Sequence, residues 1–574
     1  MSNKIDFYPG WYEGTPHERS WRKLFKWGAV NEFKHPNKKL FQLMKTTFGM
    51  TDDEFKVYQK PGFDEIKVQA PVLMDGKHIE FFKDTVGEAN LSTDTFDRLH
   101  ASYGKTMLDI MRLREGIVEN IPDVVLYPKD KDDVVKIVNY CNDHKIPVYI
   151  YGGGSSVTRG MEAVKGGISL DLSRHMKRVL EFNETNQTIT VEPGMSGPDY
   201  ERILNHAEET LNAKREYTGG HFPQSFEFSS VGGWVVTRGA GQNSTYYGKI
   251  EHMVISQEYV TPAGIIKTPE FPADACGPDI DQIMIGSEGA FGVLVAVTLK
   301  VFRYLPRNRK RFSYIFKTWE DAKNATREIM QAEAGYPSAF RISDAEETDV
   351  AMRLYGVEGT FIDKILKARG FRTMEKCLML GHTEGDKCFS KVVRRKVGKI
   401  CRKYHAMSTT GFVTRSWEHG RFRDPYMRED LQDFGIMIDT LECSVNWENM
   451  EKVHTGVRNF IKSRPATISM THISHSYPQG ANLYFIFIAK MDKIEDYKEF
   501  QSGILDHIQK YGASMSHHHG IGKMTAPWLE GQIGKNQLNI FKALKYHFDP
   551  NNIMNPGGTL ALDMDDAEKR NLKG

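Results

Sequence analysis

The chain has few cysteines, little net charge and no long apolar run. Its 574 residues contain six scattered cysteines and no Cys-x-x-Cys pair, which indicates reduced thiols and argues against a structural zinc motif. The formal net charge is only +2, so composition gives no case for nucleic-acid binding. No run of about 18 or more apolar residues is present, so no membrane-spanning helix is predicted. The cysteines are Cys141, Cys276, Cys377, Cys388, Cys401 and Cys443.

Two common phosphate-binding patterns are also missing. In "IYGGGSSVTRG", Val157 stands where a Rossmann loop has its third glycine, and no Walker loop occurs elsewhere. A Gly-Gly-Gly-Ser-Ser run directly after a buried strand nevertheless lets backbone N–H groups converge on a diphosphate, and Ser155 and Ser156 add hydroxyl donors. Taken alone, the run fits a tight solvent-exposed turn equally well.

The pattern along the chain predicts four segments. Residues 1–118 are mostly helical and charged, and residues 119–305 form an α+β unit. Residues 306–527 continue with strands and helices, and residues 528–574 contain a helix that ends at Asp549-Pro550.

An aromatic, basic helix is predicted near the start, in "SWRKLFKWGAV". Trp21, Leu24, Phe25 and Gly28 share one helical face, with basic residues beside it. Such a helix either lies on a membrane surface or docks on the protein's own core. Because helices are stabilised mainly by packing, docking is the favoured interpretation.

Three glycine clusters fall within residues 119–305. They are "YGGGSS", "SSVGGWVVTRGAG" and "IGSEGAFG". Their separation within one α+β unit suggests a long ligand that is held across the domain by backbone contacts.

These motifs, with "YGKIEHMV", resemble the FAD domain of the vanillyl-alcohol oxidase superfamily. The resemblance implies an α+β fold with a two-subdomain FAD-binding domain of the PCMH type, followed by an α+β cap domain with an antiparallel sheet. It also implies non-covalent FAD, because Gly154 occupies the place where many relatives carry the histidine that bonds flavin. The residues implied in cofactor binding are Tyr151, Gly152, Gly153, Gly154, Ser155, Ser156, Ser225, Phe228, Ser229, Gly232, Gly233, Thr237, Arg238, Gly241, Glu288, Gly289, Gly292 and Val293.

The C-terminal half resembles the alkylglycerone-phosphate synthase family. The similar stretches are "PYMREDLQDFG", "GANLYFIF", "SHHHGIGK" and "HFDPNNIMNPGG". The family exchanges the acyl group of acyl-dihydroxyacetone phosphate for a fatty alcohol, with FAD N5 as a covalent trap and no net redox change. The alternatives are an FAD-dependent oxidase or dehydrogenase of a hydroxy acid or lipid alcohol, and a flavin-binding protein without catalysis.

The resemblance also implies site residues. Arg428 falls on the family's phosphate-binding arginine, Tyr484 on its catalytic tyrosine and Arg341 on another arginine implicated in activity. A guanidinium grips phosphate oxygens in a bidentate way, and a phenol needs nearby cations or histidines to act as a base near pH 7.

The run His517-His518-His519 completes the implied catalytic set. Metal-dependent relatives carry a histidine at position 484 and a glutamate at position 518, so no metal is predicted here. In an extended segment His517 and His519 would share one face, and no acidic partner is evident nearby. Acid–base or substrate-positioning use is therefore favoured over metal binding or structural hydrogen bonding.

The implied partners are the two lipid substrates. They suggest an apolar tunnel, peripheral membrane association and, from the resemblance, a homodimer. The basic tracts "RNRKR" and "KVVRRKVGKICRK" face either anionic lipid or solvent, and solvent is the favoured interpretation. Eukaryotic relatives are peroxisomal, but the chain ends in "NLKG" rather than Ser-Lys-Leu, so its location is left open.

Overall fold

A computed structural model describes residues 16–28, 38–56 and 60–570. The predicted fold class is confirmed: strands up to residue 303 build the sheets of the FAD-binding part, and strands from residue 310 build a separate antiparallel sheet. The strands, in chain order, are β1 Leu91–Ser92, β2 Val124–Leu126, β3 Val148–Tyr151, β4 Ile168–Asp171, β5 Val179–Asn183, β6 Thr188–Val191, β7 Tyr217–Thr218, β8 Val254–Thr261, β9 Gly264–Lys267, β10 Val293–Lys300, β11 Phe302–Arg303, β12 Lys310–Phe316, β13 Ala339–Ser343, β14 Cys377–Thr383, β15 Met407–Ser408, β16 Ile436–Asn446, β17 Ile468–Ile473 and β18 Gly480–Lys490.

Helices flank these sheets throughout the described residues, and none of them is long and apolar enough to cross a bilayer. They are α1 Trp21–Phe25, α2 Lys38–Phe48, α3 Gly76–Val86, α4 Thr95–His100, α5 Met107–Arg114, α6 Lys131–His144, α7 Gly197–Asn205, α8 Ala207–Thr210, α9 Val231–Val236, α10 Ser244–Tyr247, α11 Ile280–Met284, α12 Trp319–Met330, α13 Ala345–Leu354, α14 Phe361–Ala368, α15 Lys387–Lys403, α16 Phe412–Gly420, α17 Met427–Gln432, α18 Met450–Ser463, α19 Ile494–Lys510, α20 Ala526–Ile533 and α21 Lys535–Phe548.

The FAD-binding part contains two main sheets. In the first, ordered β1-β2-β4-β3, strands β2, β4 and β3 run parallel, and α6 crosses between β2 and β3. Asp130 caps α6 by accepting a hydrogen bond from the amide of Asp133, and buried valines and isoleucines hold the helix against the strands. The second sheet, ordered β5-β6-β10-β8-β9, is antiparallel. The glycine-rich run starts where buried strand β3 ends.

The larger sheet is antiparallel, in the order β15-β12-β14-β13-β17-β18-β16. Side chains alternate across it, so one face joins the main apolar core and the other carries Arg341, His472 and Tyr484. This period-2 arrangement places functional side chains from three neighbouring strands on one surface.

The N-terminal helix docks on the core, as favoured from the sequence. Leu24 and Phe25 are buried, and the Arg22 guanidinium is fully buried in ion pairs with Asp430 at 2.5 Å and Asp433 at 2.8 Å. These contacts leave α1 no free apolar face for a membrane.

The C-terminal segment holds two helices where the sequence predicted one. Gly534, at φ +79°, separates α20 from α21. The predicted end is correct, because α21 stops at Phe548, immediately before Asp549-Pro550.

Candidate active site

A cavity of about 340 Å³ lies between the FAD-binding part and the seven-stranded sheet. The glycine loop after β3 contributes to its lining. Further lining residues are Arg341, Arg428, Tyr484, His518 and His519. One cavity therefore brings together the implied cofactor loop and most of the implied catalytic set.

The glycine loop fits a diphosphate. Within the described part of the chain, the structure records no protein acceptor for the backbone N–H groups of residues 153–157. A Cβ on Gly153 would lie 2.0 Å from the carbonyl oxygen of Phe228, so only glycine allows this close approach. Unpaired amides that line a cavity suit phosphate oxygens, and the donor set therefore matches the diphosphate of FAD.

The predicted cofactor residues divide into two groups. On the cavity wall lie Gly152, Gly153, Gly154, Ser155, Ser156, Ser225, Ser229, Gly232, Gly233, Thr237, Glu288 and Gly289. The predicted residues that do not line the cavity are Tyr151, Phe228, Arg238, Gly241, Gly292 and Val293.

Three of the residues that do not line the cavity have their side chains held by other parts of the protein. The Tyr151 hydroxyl bonds His100 at 2.8 Å, and the Arg238 guanidinium donates to the Ile285 carbonyl at 3.2 Å. The Val293 side chain is buried in the core of the first sheet.

Glu288 joins the cofactor loops to the segment that follows the histidines. Its carboxylate accepts hydrogen bonds from the amides of Ile521 and Gly522, both at 2.6 Å. Burial raises its pKa to about 7, although these amides oppose the shift. A Cβ on Gly522 would lie 2.1 Å from the Thr158 carbonyl oxygen, so this second glycine permits the same close packing.

The three histidines wrap around a buried carboxylate, that of Glu442. It accepts hydrogen bonds from the amides of His517, His518 and His519 at 2.8–3.0 Å, and from the Ser516 hydroxyl at 2.7 Å. Two expectations from the sequence were therefore wrong. The segment is bent rather than extended, and an acidic partner is present.

The bent backbone gives the three rings different environments. His518 and His519 line the cavity, whereas His517 Nε2 lies 2.7 Å from the Tyr477 hydroxyl. His475, a cavity residue that the sequence analysis missed, stacks on His517 at 4.9 Å. Burial lowers the pKa of all four imidazoles, so their neutral forms are favoured.

Two sets of these side chains have ligand atoms within 4.8 Å of one another: His475, His517 and His518, and Glu442, His518 and His519. The Glu442 oxygens already accept backbone hydrogen bonds, and His475 Nδ1 lies 2.6 Å from the Ser244 hydroxyl. These hydrogen bonds compete with metal ligation. The absence of a metal site therefore stays a prediction.

Tyr484 is buried among histidines, but its environment raises its pKa to about 12, chiefly through burial. Its hydroxyl donates to Thr440 Oγ1 at 3.1 Å, and its ring stacks on His472 at 4.8 Å. The sequence analysis expected the histidines to help the phenol act as a base near pH 7. Burial opposes that use, because it disfavours the charged phenolate, and the role of Tyr484 stays a prediction.

The two predicted arginines both line the cavity. Arg428 is buried, donates from Nη2 to the Lys105 carbonyl at 2.6 Å, and has its Nε 3.6 Å from the Glu429 carboxylate. Arg341 pairs with Glu347 and lies 3.2 Å from His472 Nδ1. The wall thus offers two guanidinium groups beside buried polar rings.

Several lining residues were missed from the sequence, including His472, Thr440 and the apolar side chains Trp27, Trp417, Ile438 and Ile486. Strand register provides the signal that could have found two of them. His472 pairs with Tyr484, and Thr440 pairs with Ile486, so each shares its partner's face.

Comparisons with known proteins agree with this geometry. A family model for an FAD binding domain matches residues 122–268, and a model for FAD linked oxidases, C-terminal domain, matches residues 305–559. Alkyldihydroxyacetonephosphate synthase of Dictyostelium discoideum is 30% identical over 81% of this chain and 78% of its own.

Two further relatives cover most of the chain. An uncharacterized FAD-linked oxidoreductase of Escherichia coli (strain K12) is 31% identical over 76% of this chain and 88% of its own. A solved alkyldihydroxyacetonephosphate synthase structure superposes with a TM-score of 0.77 at 26% identity, covering 96% of this chain and 100% of that one. FAD is the cofactor that these matches and the glycine loop share.

Proposed function

The chain belongs to the alkyldihydroxyacetonephosphate synthase family of FAD-linked enzymes, and from that premise we propose that it exchanges the acyl group of acyl-dihydroxyacetone phosphate for a fatty alcohol. The observation that carries the proposal is the shared cavity. It joins the glycine loop to a buried tyrosine–histidine stack and to two arginines.

The arginines suit a phosphorylated substrate. We assign the phosphate to Arg428, because its buried guanidinium lines the cavity and a planar fork matches phosphate oxygens. Arg341 lies beside His472 and supports the ring stack from the next strand. The ion pair with Glu347 fixes the orientation of this second guanidinium.

Proton movement at C1 of the substrate is assigned to the histidines and Tyr484 together. A neutral imidazole can accept the C1 proton, and His519 is suited because Glu442 opposes the lowering of its pKa by burial. Tyr484, protonated at neutral pH, is proposed to turn its single O–H from Thr440 Oγ1 to the substrate and to donate a hydrogen bond there. These roles reverse the usual expectation of a tyrosine base.

FAD, when bound, would supply an electron-accepting ring for an exchange that has no net redox change. The loop of residues 152–156 holds its diphosphate, with Ser155 and Ser156 as hydroxyl donors. No residue of this loop carries a nucleophilic imidazole, so flavin is expected in the supernatant after acid denaturation. Flavin that stays with the precipitate would contradict non-covalent binding.

The apolar part of the wall suits the alkyl chains. Trp27, Trp417, Ile438 and Ile486 line the cavity, and the two isoleucines pack against the apolar cluster beneath α2 and α13. Burying each CH₂ of an alkyl chain contributes about 0.8 kcal/mol. Access from a bilayer surface follows from the insolubility of such substrates.

In the first basic tract, Arg309 and Arg311 are paired with Glu384 and Glu418, so these two cations are not assigned to a lipid contact. A homodimer remains a prediction from the resemblance, and light scattering at several concentrations tests it.

The direct test is incubation of the FAD-loaded protein with palmitoyl-dihydroxyacetone phosphate and hexadecanol, followed by mass spectrometry. We expect hexadecyl-dihydroxyacetone phosphate and palmitate in equal amounts, with no reduction of an added dye and no loss of activity in EDTA. Samples without alcohol serve as the control. Absence of the ether product would overturn the proposal.

An oxidoreductase is the second candidate, since the Escherichia coli relative is named as an FAD-linked oxidoreductase. It predicts bleaching of the flavin by a hydroxy acid or lipid alcohol and dye reduction at a steady rate. The same incubation separates the two functions.

A further inference from the structure

A chain of hydrogen-bonded side chains begins at the cavity and ends at a half-buried tyrosine. His518 lines the cavity, and its Nδ1 lies 3.1 Å from Nδ1 of His517. The other ring nitrogen of His517, Nε2, lies 2.7 Å from the Tyr477 hydroxyl. We define these three side chains as the histidine–tyrosine chain.

The histidine–tyrosine chain runs from the cavity toward solvent. His517 and Tyr477 do not line the cavity, and Tyr477 is half-buried, two residues before the exposed Gln479. A second branch leaves His517 through the stacked ring of His475. That branch ends at a buried hydroxyl, because His475 Nδ1 lies 2.6 Å from Ser244 Oγ. Of the two branches, the one through Tyr477 therefore leads toward solvent.

Backbone contacts hold the histidine–tyrosine chain in place. The amides of His517 and His518 donate to the Glu442 carboxylate at 2.8–3.0 Å. The His517 carbonyl accepts a hydrogen bond from Lys249 Nζ at 2.8 Å, and the Tyr477 amide donates to the Gly480 carbonyl at 2.8 Å. The backbone thus positions each group, and the ring nitrogens and the hydroxyl are left to contact one another.

Neutral imidazoles suit the transfer of a proton along such a chain. A neutral ring carries one N–H donor and one acceptor nitrogen, so it can accept a proton at one nitrogen while it releases another from the second. Burial lowers the pKa of His517 and His518 well below the ordinary value, which disfavours a ring that keeps the charge. A concerted shift avoids this charge, because each ring gains and loses a proton together.

The proposed exchange releases a proton in each turnover. The alcohol oxygen forms the new C1–O bond and loses its hydrogen, while the acyl group leaves as a carboxylate with the electron pair of the broken C1–O bond. The C1 proton, assigned to His519, is restored in the product and adds nothing to this release. The alcohol proton therefore needs a separate acceptor and a route to water.

We propose that the histidine–tyrosine chain carries the proton of the fatty alcohol out of the cavity. His518 Nε2 accepts this proton as the new C1–O bond forms, and Nδ1–H of the same ring gives its proton to Nδ1 of His517. The Nε2–H of His517 then gives its proton to the Tyr477 oxygen, and the Tyr477 O–H releases a proton to water. The inference rests on the proposed function, to which it adds Tyr477 as a relay residue that does not touch the substrate.

The test measures ether formation by the FAD-loaded full chain in ordinary and deuterated water. The variants are Tyr477→Phe, which removes only the terminal hydroxyl, His517→Gln, and the two combined. The matched control is Tyr140→Phe, which removes another half-buried tyrosine hydroxyl, one that lies 2.9 Å from His78 Nδ1 and outside the cavity. Flavin content and circular dichroism check folding.

We expect each single variant to lower kcat by about tenfold or more, since direct proton transfer by a side chain contributes ~10²–10⁴-fold. The KM for the alcohol should stay unchanged. The solvent isotope effect on kcat should exceed that of the native protein, because proton release becomes rate-limiting. The double variant should lose no more than the worse single variant, since both changes interrupt one route. The control should behave as the native protein does.

Native kcat in Tyr477→Phe and His517→Gln would overturn the relay. A lower kcat with an unchanged solvent isotope effect, additive losses in the double variant, or an equal loss in Tyr140→Phe would assign the effect to structure and would overturn it too. Failure of the proposed function is distinguishable, because it appears as a native protein that forms no ether. Native ether formation together with unaffected variants overturns the relay alone.

Discussion

Glu442 offers the sharpest test of how the loop of residues 516–519, the histidine loop, is held in place. Its buried carboxylate accepts bonds from three consecutive amides and from the Ser516 hydroxyl. Glu442→Gln keeps the shape but replaces one acceptor oxygen with an NH₂ group that faces the same donors. Charge-assisted hydrogen bonds contribute ~1.5–3 kcal/mol each, so losing one or two costs the closed loop about 3 kcal/mol.

This loss should lower the turnover rate and leave the flavin content unchanged. A free-energy penalty of about 3 kcal/mol on the competent arrangement lowers the rate by roughly 100-fold. Glu288 still holds the amides of Ile521 and Gly522, and the diphosphate loop lies in the other part of the protein, so flavin absorbance should be unchanged.

The assay follows ether formation and flavin absorbance in the native protein, Glu442→Gln and Glu442→Asp. Aspartate keeps the charge on a shorter stem and should recover part of the lost turnover. Native activity in Glu442→Gln would refute the argument. Equal loss of flavin and activity would show that Glu442 supports the whole fold rather than the loop.

Three further outcomes are expected. Arg428→Lys keeps the charge but loses the fork, so use of the phosphorylated substrate should weaken by ~1–3 kcal/mol, measured as kcat/KM, with flavin content unchanged; unaltered kinetics would place the phosphate elsewhere. Tyr484→Phe removes only a hydrogen-bond donor, so ether formation should fall by roughly 10²–10³-fold with little change in thermal stability; normal turnover would make Tyr484 a packing residue. Burial lowers the pKa of His518 and His519 below the ordinary 6.5, so the unfolded chain binds more protons on acidification. The contribution of these groups to the free energy of unfolding should be full above pH 6.5 and should decline as the pH falls toward their folded-state pKa values. A melting temperature that rises with acidification would contradict this sign.

The local elements could be predicted because their signals are local. Neighbouring residues alone predict the strand at Val124–Leu126, the helix after Asp130 and the strand before Gly152. The glycine loop could likewise be recognised, since only glycine permits the approach of Gly153 to the Phe228 carbonyl.

The shape of the histidine loop could not be predicted. Its organising group, Glu442, lies 75 residues before His517 in sequence, within a strand whose alternation only says that one face is buried. Burial also raises the pKa of Tyr484, which a count of nearby histidines in the sequence does not reveal. Both effects arise from long-range packing, which sets the dielectric environment and the hydrogen-bond partners.

The sequence draws attention to dense basic tracts, yet Arg309 and Arg311 are paired in the fold. Phe361 and Ile362 look like ordinary core residues in the sequence, but they are exposed in the structure, where Asp363 and Leu366 are the buried residues of α14.

The central claim is acyl-for-alkyl exchange at C1 within the cavity of Arg428, Tyr484 and the histidines. It is tested most directly with hexadecanol that carries ¹⁸O in its hydroxyl group. In the proposed exchange the C1–O bond of the ester breaks, palmitate leaves with both of its oxygens, and the alcohol oxygen forms the new C1–O bond. The account therefore predicts hexadecyl-dihydroxyacetone phosphate that retains the ¹⁸O label, unlabelled palmitate and a flavin that is oxidised before and after turnover. An ether without the label, or dye reduction without any ether, would contradict it.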